Sequence, residues 1–454
     1  MMSSLDTLVK GSVPEDMEIM KRTCQDDENR KLILKKEIYP YEYMNGFNRF
    51  AETTLPPQEE FFSKLSGKGI TDEEYDHAQK VWTEFGCKTL GDYHDLYVQT
   101  DVVLLADVFE NFRKVCMGKY GLDPAHYYTA PGLSWDALLK KTGIELELLI
   151  DLDMHLFIEK GMQGGISMAS KRYVKANNPR AANYDPSKPN KYSPYLDANN
   201  LCDWAMSLPL PKGGFTWKRV MPTKEQIMKL KENSRIGWIL EVDLEYPEEL
   251  HESHNSYPLA PEKKAIGVEQ MSGNQKIMME DLGLDFSKSE KLVLTLEDKS
   301  QYVVLYRNLQ LYLKQGMHLK KVHRVLEFDQ ERWMEPYIRM NTEFRKEAKS
   351  NFETNFYKLM NNSVFGKTME NLRNCVDVKI VRSWETDKIC RLVASPSYAR
   401  HEIFENDMGG IHMYKTQLYL DKPNLENSKI LMYDFFYNLI KARYGGKCET
   451  KSQS

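Results

Sequence analysis

The stretch Lys358-Leu-Met-Asn-Asn362-Ser-Val-Phe365-Gly366-Lys367 decides how this chain of 454 residues is interpreted. On a helix, which turns about 100° per residue, Lys358, Asn362 and Phe365 lie on one face. A lysine, an amide and an aromatic ring on one face can meet a phosphate, a polar edge and a flat base or sugar. The alternative is an ordinary amphipathic helix ended by Gly366. The rarity of the pattern favours a binding face over that alternative.

Composition indicates a globular protein with more than one core. A chain of 454 residues predicts roughly two to four domains, and 41% hydrophobic with 28% charged residues is the usual mix of a soluble protein. The net charge of −4 gives no overall signal for nucleic acid, but positive charge is concentrated locally. Residues 307–324 carry five Lys or Arg and no acid, and residues 159–191 carry seven against two acids. Such stripes either solvate a surface or contact a phosphate backbone.

The spacing of the seven cysteines and the lengths of the apolar runs indicate the cellular compartment of the protein. No Cys-x2-Cys pair occurs, which argues against a zinc knuckle, and scattered cysteines fit a reducing compartment. No apolar run approaches the roughly 18 residues that a membrane span needs. The first residues do not resemble a signal peptide. The sequence therefore predicts an intracellular protein with no membrane partner, in either nucleus or cytoplasm.

Helical and strand patterns alternate along the chain and predict a mixed α/β (α+β) fold. Helices are expected over residues 71–85, with a capped start at Thr71, and over 90–120, 135–160, 330–373 and 430–444. Strands are expected over residues 235–245, 291–296 and 301–306, and through Tyr195-Leu-Asp197. Residues 176–194 are rich in Asn, Pro and Lys, which predicts a linker or exposed loop.

Asp197 lies where the expected strand turns into a helix. A sheet would fix such a carboxylate, and the first N–H groups of the helix would face the same spot. Together with Lys358 on a later helix, Asp197 can hold Mg²⁺ on one side of a triphosphate, with a cation on the other side.

These patterns resemble the ordered motifs of family B DNA polymerases. Asp197-x2-Asn200-Leu201 resembles motif A (Asp-x2-Ser/Asn-Leu-Tyr-Pro/Gly), and residues 358–366 resemble motif B (Lys-x3-Asn-Ser-x-Tyr-Gly). Gly164-Gly165 lies where protein-primed members have a Tyr-x-Gly-Gly-like link. Tyr97-x3-Asp101 resembles the third exonuclease motif. The similarity covers nearly the whole chain and is greatest to protein-primed viral, plasmid and Maverick/Polinton-type transposon polymerases, the organellar and viral type B group.

The resemblance implies a role for each matching residue of the polymerase motifs. Asp197 would ligate two catalytic Mg²⁺ ions, Lys358 would contact the triphosphate, and Asn362 and Phe365 would shape the nucleotide pocket. Lys346, twelve residues upstream of Lys358, would be a second phosphate-contacting lysine. On an unbroken helix it would point about 120° away from Lys358.

The resemblance also implies an exonuclease-like metal site and a DNA contact. Asp101 would ligate metal, with Tyr97 one helical turn before it, and the alternative for this pair is an ordinary i, i+4 contact. Gly164 and Gly165 would let the backbone approach DNA, and their alternative is a simple turn.

The sequence departs from the family pattern at three places. Cys202 stands where the family has the tyrosine that lies under the incoming sugar, which puts sugar selection in the nucleotide site in doubt. Motif C (Tyr-x-Asp-Thr-Asp-Ser), which supplies further carboxylates for the two metals, is not found after residues 430–444. Asp151-Leu-Asp153 is rejected as a substitute because it precedes motif A within a helical pattern. The first exonuclease motifs are not found upstream of Tyr97. These departures predict an incomplete copy, truncated at both ends.

The resemblance implies a division of the chain into five segments. They are a C-terminal remnant of a 3′–5′ exonuclease-like domain (1–130), a connecting region with the Gly-Gly link (131–194), a palm with an insertion (195–330), the fingers helices (331–375) and a continuation of the palm (376–454).

The function implied is that of a DNA-directed DNA polymerase, a nucleotidyltransferase of DNA replication. It would add deoxynucleotides to a 3′-hydroxyl by two-metal phosphoryl transfer, with template-primer DNA, dNTPs and a terminal protein primer as partners. One alternative is a catalytically inactive remnant that grips phosphates through the two basic stripes. Another is a reverse transcriptase or RNA-primed enzyme, which a comparison of RNA and DNA templates would distinguish.

Overall fold

The helical and strand patterns of the sequence fold into a mixed α/β structure. The computed structural model describes residues 4–12, 14–36, 38–149, 151–164, 168–169, 173–285, 289–370, 376–414, 422–445 and 452–453. Every strand pair among these residues is antiparallel, as an α+β fold requires. The predicted fold class is therefore confirmed. The chain divides into two compact units, one of Met1–Lys141 with Arg339–Val364 and one of Thr142–Ile338 with Phe365–Ser454.

The α-helices of the described residues are, in chain order, α1 Leu5–Lys10, α2 Glu18–Thr23, α3 Asp27–Ile33, α4 Asp72–Glu84, α5 Leu90–Tyr120, α6 Ala130–Thr142, α7 Leu152–Lys160, α8 Leu201–Met206, α9 Lys224–Lys229, α10 Glu248–His254, α11 Gly273–Asp281, α12 Tyr306–Lys314, α13 Glu335–Glu347, α14 Asn351–Thr368, α15 Thr386–Val393, α16 Lys422–Asp434 and α17 Ala442–Tyr444. A π-helical segment, Phe435–Lys441, joins α16 to α17. Short 3₁₀ helices lie at Pro14–Asp16, Phe47–Ala51, Gln58–Phe61, Pro124–His126 and Val268–Gln270.

The strands are β1 Met168–Ala169, β2 Leu210–Trp217, β3 Ile236–Glu245, β4 Glu262–Ala265, β5 Glu290–Val293, β6 Lys299–Leu305, β7 His318–Glu331, β8 Val376–Arg382, β9 Tyr398–Ile403, β10 Met408–Tyr414 and β11 Ser452–Gln453. Their sheets have the orders β2-β7-β3-β6, β8-β10-β9, β4-β5 and β1-β11.

The first unit is built around the long helix α5. Thr89 begins it with a capping box, and Gly121 ends it in the left-handed conformation (φ 65°) that glycine adopts without steric cost. The buried carboxylate of Asp107 accepts hydrogen bonds from the backbone N–H groups of Ile19 (2.8 Å) and Met20 (2.7 Å), which fixes the start of α2 against α5. The predicted helices over residues 71–85 and 90–120 are confirmed by α4 and α5.

The second unit is built around the four-stranded sheet. Strand β3 is buried along most of its length and lies between β7 and β6. Helices α12 and α16 pack beside this sheet, and their buried tyrosines join the same apolar core. The strands predicted at residues 235–245 and 301–306 are confirmed by β3 and β6.

Four other expectations differ from the structure. The helix expected over residues 135–160 is two helices, α6 and α7, separated by irregular chain. The strand expected over residues 291–296 ends at Val293 and pairs with β4. The helix expected over residues 430–444 begins earlier and includes the π-helical segment. The helical stretch expected over residues 330–373 is two helices, α13 and α14.

The segment expected to be a linker, residues 176–194, contains a loop organised by Asn177. The Asn177 side chain donates to the carbonyls of Asp185 (3.0 Å), Lys188 (3.2 Å) and Pro189 (3.1 Å), and accepts from the Asp185 N–H (2.8 Å). The backbones of Asn177 and Lys191 are hydrogen-bonded in both directions. One partly buried polar side chain thus closes the loop, and residues 177–191 have a defined shape.

In the part of the chain that the structure describes, no helix combines the length and apolarity needed to cross a membrane.

Candidate active site

The helix that carries the 358–366 pattern begins at a local capping signal. The Ser350 hydroxyl accepts from the Glu353 N–H (3.1 Å), and the Glu353 carboxylate accepts from the Lys349 N–H (2.8 Å). This reciprocal pair ends the preceding helix, α13, and starts α14. Lys346 therefore lies on α13 and not on the helix of Lys358, so the angle expected for an unbroken helix does not apply. Lys346 is exposed and pairs with Glu343 at 3.0 Å.

Helix α14 has one buried face and one exposed face. Lys358 and Asn362 are exposed, and Phe365 is half-buried, on the face that the spacing predicts. The Lys358 ammonium and the Asn362 amide make no hydrogen bond or ion pair with any residue that the structure describes. By contrast, Lys367 pairs with Glu370 at 2.5 Å. The Lys358 charge is thus available to a ligand.

The opposite face of α14 is held by a chain of buried polar side chains that the sequence pattern did not reveal. The Tyr120 hydroxyl donates to Asn341 Oδ1 (2.7 Å), and Asn341 Nδ2 donates to Asn361 Oδ1 (2.8 Å). Asn341 and Asn361 are only 1% and 3% exposed. Helical phase could have found Asn361, since it lies one turn after Tyr357 and three residues before Val364, both buried. These hydrogen bonds fix the rotation of α14 about its axis and therefore the direction in which the Lys358 side chain points.

Asp197 does not end a strand, and the prediction of a strand through residues 195–197 was wrong. These residues are irregular and exposed, with Tyr195 at 92% exposure. A strand needs a neighbour to pair its backbone groups, and the next strand, β2, begins only after α8. The expected helix does follow: Asn200 adopts the left-handed conformation (φ 57°) and α8 begins at Leu201. Asp197 therefore lies in an open loop before a short helix.

Cys202 lies in the first turn of α8 and is half-buried. Burial raises the pKa of its thiol, and the neighbouring Asp203 carboxylate raises it further. The side chain is thus a neutral thiol near pH 7, and it is smaller than the aromatic ring that the family pattern places here.

Tyr97 and Asp101 lie one turn apart on α5, in a cluster of aromatic side chains. The Tyr97 ring stacks on Tyr39 with centroids 4.4 Å apart, and the Tyr41 and Tyr97 hydroxyls are hydrogen-bonded at 2.5 Å. Burial, the Tyr41 hydroxyl and the Asp101 carboxylate raise the pKa of Tyr97 well above its usual range. Asp101 Oδ1 is buried and has no hydrogen-bond partner in the described part of the chain. This arrangement orients the pair, and its exonuclease-like role stays a prediction.

Gly164 is half-buried, and a Cβ added to it would meet no atom within 4 Å. No contact within the described chain therefore requires glycine here. Gly165 lies outside the described residues. The predicted approach of DNA to these two glycines stays a prediction.

The basic stripe over residues 307–324 is largely committed to the protein itself. Arg307 is buried and donates only to neutral groups. Arg324 pairs with Glu241 (3.0 Å) and Asp153 (3.1 Å), and Lys320 pairs with Glu245 (2.7 Å). The pairs of Arg324 with Glu241 and of Lys320 with Glu245 are cross-strand ion pairs between β7 and β3, which the sequence could not show.

The stripe over residues 159–191 retains more free charge. Lys160 pairs with Glu241 (2.8 Å) and Lys188 with Asp185 (2.7 Å). Three further cations are exposed and form no ion pair with described residues: Lys175, Arg180 and Lys191. Four tyrosines of the same region are exposed: Tyr173, Tyr184, Tyr192 and Tyr195.

Asp197 offers an exposed carboxylate to a metal ion. A carboxylate oxygen is the ligand type that Mg²⁺ takes, so Asp197 suits one coordination position. The described residues contain no group of three or more His, Cys, Asp or Glu that could hold a metal ion. A complete two-metal site is therefore not formed by these residues.

Comparisons with known proteins identify the family. The family model of DNA polymerase type B, organellar and viral, matches residues 31–406. No curated protein matches the chain. Among solved structures, phi29 DNA polymerase in its orthorhombic crystal form is similar, with 16% identity, a TM-score of 0.39, 92% of this chain covered and 59% of that chain. Its ternary complex with primer-template DNA and incoming nucleotide substrates gives the same four values.

The chain spans 59% of the length of the phi29 polymerase that it matches. At 16% identity and a TM-score of 0.39, this likeness does not carry features from one protein to the other. The family model is the stronger finding, since it covers most of the chain and includes residues 97–101, 197–201 and 358–366. The chain belongs to the organellar and viral type B family of DNA polymerases.

Proposed function

We propose that this chain works as a DNA-directed DNA polymerase of the protein-primed type, joining deoxynucleotides to a primer 3′-hydroxyl on a DNA template. The observation that carries the proposal is the exposed face of α14, where Lys358 and Asn362 have no partner among the described residues. The buried bond between Asn341 and Asn361 holds that face outward. Family membership supplies the reaction, and α14 supplies the nucleotide contact.

Lys358 suits the charge that moves in nucleotide transfer. Attack of a 3′-hydroxyl on the α-phosphate spreads negative charge over the phosphate oxygens and the departing pyrophosphate. A lysine ammonium is a compact positive charge with three donors on a flexible side chain, so it can stay hydrogen-bonded to the phosphate oxygens as their negative charge increases. Because Lys358 forms no ion pair with described residues, binding a phosphate breaks none of the contacts seen. The Asn362 amide can donate and accept hydrogen bonds at a polar edge of the nucleotide, and the Phe365 ring offers an apolar surface to its base or sugar.

Mg²⁺ is the cofactor that we propose, with Asp197 as one of its ligands. Bound Mg²⁺ would neutralise phosphate charge and activate the attacking hydroxyl. Asp197 is exposed, and the open loop around it leaves its carboxylate accessible. Cys202, five residues after Asp197, would lie on the sugar side and leave more room there than an aromatic ring.

Template-primer DNA is the proposed macromolecular partner. The free cations Lys175, Arg180 and Lys191 would contact phosphates, and exposed tyrosines beside them would stack on unpaired bases. We propose a terminal protein as primer because of the resemblance to the protein-primed members of the family, of which the Gly164-Gly165 pattern is one part. Free cysteines at positions 24, 87, 116, 202 and 390 support a reducing, intracellular compartment.

The proposal is tested by the binding of a template-matched dNTP to a complex of the chain with primer-template DNA. Lys358→Ala should weaken dNTP binding by about 10- to 100-fold, the value of a charge-assisted hydrogen bond of about 1.5–3 kcal/mol. Lys367→Ala is the matched control, since Lys367 lies on the same helix, about 180° around it, and already pairs with Glu370.

Fluorescence anisotropy of a labelled primer-template shows whether DNA binding is kept in both variants. A dideoxy-terminated primer prevents chemistry, so that only binding is measured. If Lys358→Ala and Lys367→Ala bind the matched dNTP equally well, the exposed face of α14 is not the nucleotide site.

A further inference from the structure

Three carbonyls at and just after the C-terminal end of α8 accept hydrogen bonds from side chains in distant parts of the second unit. Asn427 Nδ2, from α16, donates to the Ala205 carbonyl (3.3 Å). Arg332 Nη1 donates to the Ser207 carbonyl (2.9 Å), and Arg307 Nη2, from α12, donates to the Pro209 carbonyl (3.1 Å). We call these three donors, Arg307, Arg332 and Asn427, the carbonyl clamp. The Ala205 carbonyl belongs to α8, the Ser207 carbonyl to its C-cap and the Pro209 carbonyl to the chain just after it, so the clamp holds the C-terminal end of α8 together with the segment that follows.

The buried Arg307 is the unusual member of the clamp. It is 7% exposed, and its hydrogen-bond partners are all neutral: Tyr306 Oη (3.0 Å), Asn427 Oδ1 (3.0 Å), the carbonyls of Pro209 (3.1 Å) and Glu232 (3.2 Å), and Gln330 Oε1 (3.2 Å). A buried cation is normally paired with an acid, because desolvation of an unpaired charge is costly. Arg307 instead directs its donors to α12, to α16 and to the segment that follows α8.

The other end of α8 follows the exposed loop that carries Asp197. Its N-cap, Asn200, makes no side-chain capping bond, and residues 195–197 before it are exposed. Isolated helices shorter than about 12–15 residues are marginal in water, and α8 has six residues. The clamp therefore ties the C-terminal end of the segment that carries Cys202 and follows Asp197 to the rest of the second unit.

We propose that Arg307, Arg332 and Asn427 are positioning residues, which hold α8 and thereby place Asp197 and Cys202 for nucleotide addition. This inference rests on the proposed function for its meaning, but the anchoring itself can be measured without any polymerase activity. Cys202 is a probe already in place, because its half-buried thiol becomes accessible when α8 leaves its position.

The test is the rate at which N-ethylmaleimide labels Cys202 in the folded chain, read by mass spectrometry of its peptide and normalised to Cys87. Asn427→Asp is the informative variant. Its carboxylate still accepts from Arg307, which then gains a counter-charge, but it cannot donate to the Ala205 carbonyl. Asn427→Asp should therefore stay folded and label Cys202 on the order of tenfold faster, the value of one lost hydrogen bond near 1.4 kcal/mol.

Asn308→Ala is the matched control. Asn308 is fully buried beside Arg307 and donates to the Glu426 carbonyl (3.0 Å), so it ties α12 to α16 without touching α8. This control should lower the melting temperature yet leave Cys202 labelling at the parent rate. Equal labelling of Cys202 in Asn308→Ala and Asn427→Asp would overturn the proposal, as would a parent-like rate in Asn427→Asp.

A second variant guards against misfolding at the buried position. Arg332 is partly exposed, with 37% of its side chain accessible, so Arg332→Met should fold and still speed Cys202 labelling. In primer extension, the clamp variants should lower kcat and leave the affinity for primer-template DNA unchanged. If the parent chain does not extend a primer, the proposed function fails, whereas the labelling rates still decide whether the clamp holds α8.

Discussion

The two adjacent asparagines of α14 should separate stability from nucleotide binding. Asn361→Ala removes the acceptor of Asn341 Nδ2 and leaves that donor unpaired at a site that is 1% exposed. An unsatisfied buried donor costs about 1–3 kcal/mol, so the free energy of unfolding should fall by that amount. Asn362→Ala removes an exposed side chain that has no partner among the described residues, so the free energy of unfolding should change by less than about 0.5 kcal/mol.

Urea unfolding followed by circular dichroism measures the first effect, and matched dNTP binding measures the second. Asn362→Ala should weaken dNTP binding while its unfolding midpoint stays at the parent value. The pair Asn341→Ala and Asn361→Ala provides a double-mutant cycle, whose coupling energy should exceed about 0.5 kcal/mol because the two side chains bond directly. Strict additivity in the cycle, or equal stability of Asn361→Ala and Asn362→Ala, would refute the assignment of inward and outward faces.

Three further predictions concern stability and loop structure. Burial lowers the pKa of His254 to about 4, from its ordinary value of 6.5. Because the unfolded chain takes up this proton at a higher pH than the folded chain, the stability that is present above pH 6.5 should fall on acidification. In urea unfolding the free energy of unfolding should fall by about 2 kcal/mol between pH 7 and pH 5, and His254→Gln should remove this part of the pH dependence. Glu241→Gln should lower the free energy of unfolding by about 1–3 kcal/mol in the same assay, because the buried carboxylate that joins Lys160 (2.8 Å) to Arg324 (3.0 Å) loses its charge. An unchanged free energy of unfolding would show that these ion pairs do not stabilise the fold. Asn177→Ala should open the 177–191 loop to trypsin much faster than the parent chain, and unchanged cleavage would contradict the role of this side chain.

Local signals in the sequence predicted much of the fold. The capping box at Thr71 marks the start of α4, and the residues that form it lie within one turn of each other. The apolar run of β3 was also readable, because a buried central strand needs apolar side chains along its length. Helical phase correctly placed Lys358, Asn362 and Phe365 on one side of α14.

Long-range partners explain what the sequence could not show. Arg307 looked like part of a basic surface stripe, yet it bonds to Pro209 and Asn427, which are 98 and 120 residues away. The strand expected at Asp197 failed for a related reason, since strand formation depends on a neighbour and not on local pattern alone. Both errors concern tertiary pairing, and both lie at the candidate site.

Nucleotide addition at Asp197 can be measured by primer extension on a DNA template with Mg²⁺ and dNTPs. The experiment compares the parent chain with Asp197→Asn, which keeps the size of the side chain and removes its charge. We expect template-directed extension by the parent and a loss of about 100-fold or more in the variant, since a metal ligand contributes several kcal/mol to charge stabilisation. Extension at equal rates, or no extension by either chain, would contradict the claim that this chain adds nucleotides at Asp197.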